Sequence, residues 1–287
     1  MKRYPGAEAT ERKGWWRAHR FLLLRRLCQL SVLGLFLLGP WAGIWLIEGN
    51  LSSSRLMDTV PMTDPFVLVQ LLAAGHWPVF TAWLGALIVL AGYVLVGGRV
   101  FCSWVCPLNP VTDAAGWLRR RLGLRQGSGL SSRLRYWLLA TILVVPFIGG
   151  VVVWESVNPV SLLHRGLLFG MGWGWLLIVA VFLFDSFVVD RGWCGHLCPQ
   201  GAFWGLVNKL RPLQVTAAGR EHCTSCMDCY AVCPEPQVLK GPVHGAKRGH
   251  GPEIKMTDCS HCGRCIDVCA EDVFSFTTRF ANKAEKK

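Results

Sequence analysis

Two copies of one cysteine pattern near the end of the chain constrain its fold more than any other feature. In each copy three cysteines are separated by two residues, and a fourth follows after three more. The first copy is Cys223, Cys226, Cys229 and Cys233, and the second is Cys259, Cys262, Cys265 and Cys269. Bacterial ferredoxins hold [4Fe–4S] clusters with this spacing. The pattern therefore predicts two such clusters.

The spacing also predicts which cysteines share a cluster. In two-cluster ferredoxins the fourth cysteine of one run ligates the other cluster. The first cluster then takes Cys223, Cys226, Cys229 and Cys269, and the second takes Cys259, Cys262, Cys265 and Cys233. Zinc is the alternative metal, but zinc sites do not need the third cysteine of each triplet. Residues 216–287, including a glycine-, histidine- and lysine-rich linker at Gly241–Gly251, are predicted to be a two-cluster ferredoxin-type domain.

The rest of the chain has the composition of a membrane protein. Of its 287 residues 52% are hydrophobic and only 17% are charged, whereas soluble domains have about 25% charged residues. Four apolar stretches, at about 27–47, 78–98, 136–154 and 166–189, approach the length of about 20 residues that crosses a bilayer. Backbone N–H and C=O groups in lipid must hydrogen-bond to one another, so these stretches should be helices. The shorter run Phe66–Ala74 is expected at the interface or in a loop.

The predicted fold class is therefore membrane all-α, with four transmembrane helices and a C-terminal bacterial two-[4Fe–4S] ferredoxin-type domain. A basic segment, residues 1–26, precedes the transmembrane domain, residues 27–190. A membrane-edge segment, residues 191–215, joins that domain to the ferredoxin-type domain.

Basic residues alternate between the connections in a way that predicts the orientation. Lysine and arginine are frequent before the first span and between the second and third, whereas Arg55 and Arg165 stand alone in the other two connections. The positive-inside rule then predicts a multi-pass protein of a bacterial inner membrane with both termini in the cytoplasm. The same rule accounts for the net charge of +12, so nucleic-acid binding is not expected.

Two further cysteine pairs follow the second and fourth predicted spans. They have the form Cys-x-x-x-Cys-Pro and comprise Cys102, Cys106, Cys194 and Cys198. An α-helical turn would place the two cysteines of each pair on one face. Three interpretations remain open: buried thiols that pack as small apolar groups, ligands of a metal or of a third cluster, or a redox-active thiol pair or disulfide.

Several stretches resemble the ferredoxin-type membrane subunits of periplasmic nitrate reductase systems. Besides the two cysteine runs they are Lys13–Arg17, Leu24–Cys28, Phe101–Pro110, Gly192–Pro199 and Asp272–Phe274. The resemblance implies a quinol dehydrogenase component that takes electrons from the membrane quinol pool. It also implies two partners on the way to periplasmic nitrate reductase, a multi-cluster ferredoxin-type subunit and a membrane-anchored c-type cytochrome.

The sequence offers no site at which this chain would itself reduce nitrate. It contains no molybdopterin-type domain and no haem-attachment motif of the form Cys-x-x-Cys-His. Whether the chain is an enzyme by itself is left open, since the implied role is that of an electron-transfer subunit.

Quinol oxidation needs a proton acceptor beside the membrane, and five residues are weak candidates. A histidine–carboxylate pair is suited to that task. His76, His164, Glu48 and Glu155 are expected on the periplasmic side, and Asp185 lies inside an apolar stretch, where an acid is a functional candidate. The alternative for Asp185 is an ion pair with Arg99 or Arg191.

Two other functions fit parts of the pattern. One is a membrane-bound metal-handling or assembly factor that uses the Cys-x-x-x-Cys-Pro thiols, which predicts that they bind copper or change redox state. The other is an anchor that tethers a soluble ferredoxin, which predicts that its clusters are not reduced at the rate of turnover.

Overall fold

A computed structural model describes residues 4–124, 129–170 and 172–280, so the ends of the predicted segments 1–26 and 216–287 lie outside the described residues. The chain divides into two units. The cysteine-rich unit comprises residues up to 28, 93–104 and those from 205 onward, and the helical unit comprises 29–92 and 105–204. The N-terminal segment therefore belongs to the same unit as the two cysteine runs.

The described helices and strands follow one another in this order. The helices are α1 (Ala7–Lys13), α2 (Trp15–Ala42), α3 (Pro65–Ala73), α4 (Phe80–Val96), α5 (Asn109–Arg121), α6 (Leu134–Gly149), α7 (Trp154–Val157), α8 (Pro159–Phe169), α9 (Gly174–Leu183), α10 (Pro199–Val207), α11 (Asp228–Val232), α12 (Lys240–His244) and α13 (Arg264–Val268). The strands are β1 (Ile47–Gly49), β2 (Ser53–Leu56), β3 (Val60–Thr63), β4 (Leu213–Thr216) and β5 (Ser275–Thr278).

Each predicted span contains an apolar helix, but their lengths differ. Among the described residues α2, with 28 residues, is the one helix long and apolar enough to cross a membrane by length and composition. Helices α4, α6 and α9 with its continuation to Val188 are shorter apolar helices of 10–17 residues. By length and composition, one of the four predicted spans is therefore a candidate, and the other three are helical but shorter than predicted.

Local stop signals account for the shorter helices. Helix α6 ends at Gly149, because Gly150 adopts a left-handed conformation with φ 66° and closes the helix. The fourth span was predicted to begin at Gly166, which is wrong, since residues 159–169 form the separate helix α8. That helix begins where the Asn158 side chain accepts the Val160 N–H at 3.1 Å, and it ends at Gly170 with φ 97°.

The expectation of an all-helical fold is also wrong at two places. Strands β1, β2 and β3 form an antiparallel sheet after the first span, and β4 pairs with β5 in the cysteine-rich unit. The run Phe66–Ala74, predicted at the interface or in a loop, is helix α3. Its N-cap Asp64 accepts the Phe66 N–H at 2.9 Å, and Phe66 is buried with Leu139, Trp154 and Ala202 in the core of the helical unit.

The cysteine-rich unit is tied to the N-terminal segment by polar contacts. The carboxylate of Asp267, which is fully buried, accepts the backbone N–H groups of Phe21 at 3.1 Å and Leu22 at 3.0 Å. The Gly6 N–H donates to Asp228 at 2.8 Å. A buried carboxylate needs such donors, so the start of α2 is fixed on the domain that carries the cysteine runs.

Candidate metal centres

Two cavities in the cysteine-rich unit are lined by cysteine sulfurs. The first-site cavity is lined by Cys223, Cys226, Cys229 and Cys269. The second-site cavity is lined by Cys233, Cys259, Cys262 and Cys265. The structure thus brings the first three cysteines of each run together with the last cysteine of the other run.

The two runs have the same backbone shape. Ser225 and Met227 of the first run have positive φ angles of 57° and 66°, and the equivalent His261 and Gly263 have 52° and 71°. In each run the second of these residues precedes a short helix, α11 or α13, that carries the third cysteine. Left-handed residues cost energy outside glycine, and their occurrence at equivalent positions indicates a shared loop geometry around each cavity.

Ionised thiolates without a compensating cation would be unfavourable in these cavities. Burial and the nearby Cys226, Cys269 and Cys223 sulfurs raise the pKa of Cys229 to about 12. Burial and its neighbouring sulfurs raise the pKa of Cys265 well above its usual value. Iron–sulfur clusters bind thiolates and supply the compensating charge. The donor set of each cavity, four cysteine sulfurs with an apolar surround, therefore fits a [4Fe–4S] cluster.

Polar groups outside the cysteine runs fix the loop of the second site. Arg99 is buried, and its Nη1 donates to Glu235 Oε1 at 2.9 Å. The side-chain amide of Asn208 donates to the carbonyls of Thr257 at 2.7 Å and Cys259 at 3.0 Å. Sequence reasoning missed these roles because basic residues near spans were interpreted as loop charges. The position of Arg99 three residues before a cysteine pair was the available indication.

The two Cys-x-x-x-Cys-Pro segments form wide helical turns instead of the α-turn expected from the sequence. Residues Phe101–Val105 and Trp193–Leu197 are π-helical, and the Cys198 N–H donates to the Trp193 carbonyl five residues earlier at 2.8 Å. A buried arginine holds each turn. Arg25 donates to the Ser103 carbonyl at 3.0 Å, and Arg135 donates to the Gly195 carbonyl at 3.1 Å.

The four sulfurs of these pairs have different surroundings. Cys102 belongs to the cysteine-rich unit, whereas Cys106, Cys194 and Cys198 belong to the helical unit. The Cys198 sulfur accepts the Gly201 N–H at 3.3 Å, and the Cys194 thiol lies 3.9 Å from the Thr112 hydroxyl. Across the described ranges, no three histidine, cysteine, aspartate or glutamate side chains converge on the position of a single metal ion.

Two of the five quinol candidates, Glu155 and His164, lie on the consecutive helices α7 and α8 of the helical unit. Ser52 bonds to Glu155 and lies 3.4 Å from the Ser161 hydroxyl. His164, one helical turn after Ser161 on α8, is 1% exposed, and its ring packs edge-on against Phe36. Neither ring nitrogen of His164 has a hydrogen-bond partner among the described residues.

The other three candidates have separate environments. The His76 ring bonds to the Gly150 carbonyl at 3.0 Å and is exposed. Glu48 is exposed on β1. Asp185 is fully buried and accepts the Trp193 N–H at 2.8 Å, while Arg99 pairs with Glu235 and Arg191 with Asp113 at 2.7 Å. Asp185 therefore has a structural role at the start of the second Cys-x-x-x-Cys-Pro turn.

A fall in pH is expected to lower the free energy of unfolding of the helical unit, because His164 is buried. Burial lowers the pKa of His164 to about 4, below its usual value of about 6.5. The folded state therefore favours the neutral ring, and stability present above pH 6.5 is lost as the pH falls towards 4, by at most about 1.4 kcal/mol per pH unit. The H164F variant should lose that portion of the pH dependence in urea titrations at pH 7 and pH 5. An unchanged difference between the two pH values in H164F would contradict this prediction.

Comparison with known proteins agrees with these sites. Residues 222–273 match the family model of a 4Fe–4S dicluster domain, and residues 79–125 and 171–215 match that of a 4Fe–4S binding domain. No solved structure shows significant similarity. The two cysteine-lined cavities and these matches define the class as a ferredoxin-type iron–sulfur protein of electron transport.

Curated relatives identify the family within that class. The chain is 53% identical to the ferredoxin-type protein NapH of Escherichia coli over 99% of its own length and 98% of the relative. It is 49% identical to NapH of Haemophilus influenzae over the same shares. It is also 48% identical to the methylamine utilization ferredoxin-type protein MauN of Methylorubrum extorquens, over 95% and 94%. The chain belongs to the NapH and MauN family of ferredoxin-type proteins, which confirms the resemblance seen in the sequence.

Proposed function

We propose that this protein is the quinol-oxidising membrane component of an electron-transfer chain, with two [4Fe–4S] clusters held by the eight cysteines of the two cavities. Clusters bound there would supply one-electron chemistry. The family and the matching 4Fe–4S domains support the electron-transport role.

The contact between an apolar helix and the second-site loop carries this proposal. The segment that follows α4 packs directly on that loop: Ser103 Oγ donates to the Ser260 carbonyl at 2.7 Å, and Trp104 Nε1 donates to the His261 carbonyl at 3.2 Å. Ser260 and His261 lie between Cys259 and Cys262. An apolar helix and a cluster site are thus joined by a short, hydrogen-bonded segment, which supports the proposal that the clusters serve a membrane electron carrier.

Exposed apolar side chains support insertion of the three shorter helices as well. Leu87 and Leu95 on α4, Phe147 and Ile148 on α6, and Leu176 on α9 are exposed. Large apolar surfaces on several helices indicate contact with lipid or protein. We propose four inserted helices in a bacterial inner membrane with both termini in the cytoplasm, an orientation that the distribution of basic residues supports.

The polar region around Ser161 is the proposed quinol site. Glu155 bonds to Ser52, which lies 3.4 Å from the Ser161 hydroxyl, and His164 follows Ser161 by three residues on α8. A neutral imidazole whose nitrogen atoms have no hydrogen-bond partner among the described residues can accept a hydroxyl proton. Each quinol would lose two protons there as its two electrons leave. His76, Glu48 and Asp185 are less suitable because each is exposed or already bonded to backbone groups.

We propose two partners, which are those that the resemblance of the sequence implies. They are a multi-cluster ferredoxin-type subunit and a membrane-anchored c-type cytochrome that pass electrons to periplasmic nitrate reductase. Since MauN of the methylamine system is nearly as similar as NapH, the terminal acceptor has to be established with the isolated partners.

The family matches favour one interpretation of the Cys-x-x-x-Cys-Pro pairs. Both pairs lie within the two stretches, 79–125 and 171–215, that match a 4Fe–4S binding domain. Among thiol packing, redox-active thiols and metal ligation, we therefore propose metal ligation, with Cys102, Cys106, Cys194 and Cys198 as ligands of iron.

Reduction of the purified protein by a short-chain quinol tests the proposed function. Anaerobic wild-type protein in detergent is expected to develop the EPR signals of reduced [4Fe–4S] clusters after addition of the quinol. The H164F variant should be reduced at least ten times more slowly, because it lacks the buried imidazole, whereas H76F should react like the wild type. If dithionite reduces the wild-type clusters but quinol does not, quinol oxidation by this chain is wrong.

A further inference from the structure

The two copies of the cysteine run differ in what covers them. In the first copy Thr224, Ser225, Cys226 and Met227 are exposed, and in the second copy the equivalent residues from Ser260 to Gly263 are buried. The run of exposed residues includes a cysteine that lines the first-site cavity. Only the first of the two sites thus presents its loop to solvent.

The chain itself covers the second loop from two sides. Ser103 and Trp104 donate to the carbonyls of Ser260 and His261, as described above. On another side Phe21 packs so closely on Gly263 that a Cβ on that glycine would lie 2.4 Å from the ring. Another protein could reach the second loop only by displacing these segments.

The first loop carries an apolar side chain where the second has glycine. Met227 and Gly263 occupy equivalent left-handed positions, with φ 66° and 71°. Glycine adopts this conformation more readily than other residues, and it occupies the position in the covered copy. In the first copy Met227 is 50% exposed. Methionine is common on surfaces that contact other proteins.

A basic segment lies beside the first loop. Residues 240–250 contain Lys240, Lys247 and Arg248, two histidines and no acid. Val243 and His244 line the first-site cavity, and His244 stacks on Tyr230 with ring centroids 5.9 Å apart. Arg220 donates to the His250 carbonyl at 2.6 Å and so holds the end of the segment in place. The sequence had suggested only a linker here.

Three acids near the first loop are engaged by the N-terminal segment. Glu271, which lines the first-site cavity, pairs with Arg12, and Asp272 pairs with Lys13. Asp228 accepts the Gly6 N–H. The exposed lysine and arginine side chains of residues 240–250 outnumber Glu221, an exposed acid just before the first loop that lies 3.5 Å from His222.

From these observations we propose that Thr224–Met227 and Lys240–His250 together form a docking face for an acidic electron-carrier protein. Opposite charges on two partners accelerate their encounter and orient the complex. Here they would orient the carrier towards the first site, since the second is covered. The inference rests on the electron-transport class of the protein and does not depend on quinol being the donor. Anionic lipid is the other ligand of basic patches, but it would not account for an exposed site loop with an apolar side chain.

Binding of an acidic two-[4Fe–4S] ferredoxin of the clostridial type tests the docking face. Full-length protein with its clusters is placed in nanodiscs made only of phosphatidylcholine, and the Kd of the oxidised ferredoxin is measured at low and high salt. The K247E/R248E variant is expected to bind at least ten times more weakly than wild type, and salt should weaken wild-type binding. The control K209E/K255E reverses two exposed lysines elsewhere in the same unit and should bind like the wild type.

Three results would overturn the docking face. They are wild-type protein that does not bind the ferredoxin, equal losses in the two double variants, and a loss in K247E/R248E that appears only when the nanodiscs contain phosphatidylglycerol. The last result would assign the basic segment to anionic lipid. Iron content and absorbance of each variant are measured first, so that a lost cluster is not mistaken for lost binding.

Discussion

The C265S variant is expected to lose about four iron atoms per chain relative to wild type, the content of one cluster. Cys265 is buried in the second-site cavity, where four sulfurs converge, and serine is a poor substitute for a thiolate ligand. Small metal-binding domains fold on the energy of metal binding, so the melting temperature of the cysteine-rich unit should also fall. Iron and sulfide analysis after anaerobic purification gives the measurement.

Matched variants separate ligation from a general effect of removing a cysteine. The C28S variant changes the cysteine that stands outside every pair and run, and it should keep the full iron content. If the ligands cross between runs, C233S/C262S should lose one cluster and C233S/C226S should lose both. Equal iron contents in these two double variants would contradict the crossed assignment, and wild-type iron in C265S would contradict the second site itself.

The R99M variant is expected to destabilise the cysteine-rich unit by about 3–5 kcal/mol, which is the usual effect of removing one partner of a buried ion pair. Burial opposes the charge of Arg99, but Glu235, Cys102 and Asp258 outweigh it and raise the pKa of the guanidinium further. Methionine would leave the Glu235 carboxylate, whose side chain is 5% exposed, without its cation. The urea concentration that bleaches half of the cluster absorbance should fall accordingly.

Two controls define what the R99M result means. The R99M/E235Q variant removes both charges and should recover much of the loss, because no buried carboxylate is left unpaired. The R12M variant breaks the more exposed pair with Glu271 and should cost less than about 1 kcal/mol. An R99M protein as stable as R12M would show that the buried pair is not important for the second-site loop.

The cysteine runs could be interpreted from sequence because their spacing reflects the geometry of the iron–sulfur cluster. Three thiolates at short, fixed intervals can hold three corners of a cluster wherever the rest of the chain lies. The predicted grouping of Cys233 with the second run and Cys269 with the first follows from the same rule, and each cavity is lined by the corresponding four cysteines.

Hydrophobic length could not locate the helix boundaries in the middle of the chain. Residues 166–169 are as apolar as the helix after them, yet Gly170 ends α8 and a new helix begins at Gly174. The signals Asn158-Pro159 and Gly170 were present in the sequence and would have separated the two helices. Strands β1–β3 have only three or four residues each, so their pairing depends on packing that no short window of sequence contains.

Charge was the least predictable property of this chain. Arg25, Arg99 and Arg135 were counted among the basic residues of cytoplasmic loops, and the structure buries all three. The positive-inside rule describes which side of the membrane a charge prefers. It contains no information on whether that charge faces water or donates to a particular carbonyl inside the protein.

The paired arginine contacts bear on how such a chain could have arisen. Arg25 and Arg135 each donate to the carbonyl that follows the first cysteine of a Cys-x-x-x-Cys-Pro turn, and one family model matches both turns. Duplication of an ancestral segment with one helix pair and one turn would leave this arrangement. In the present chain the two turns differ in their surroundings: Cys102 belongs to the cysteine-rich unit, whose second-site loop its turn contacts, and Cys194 belongs to the helical unit.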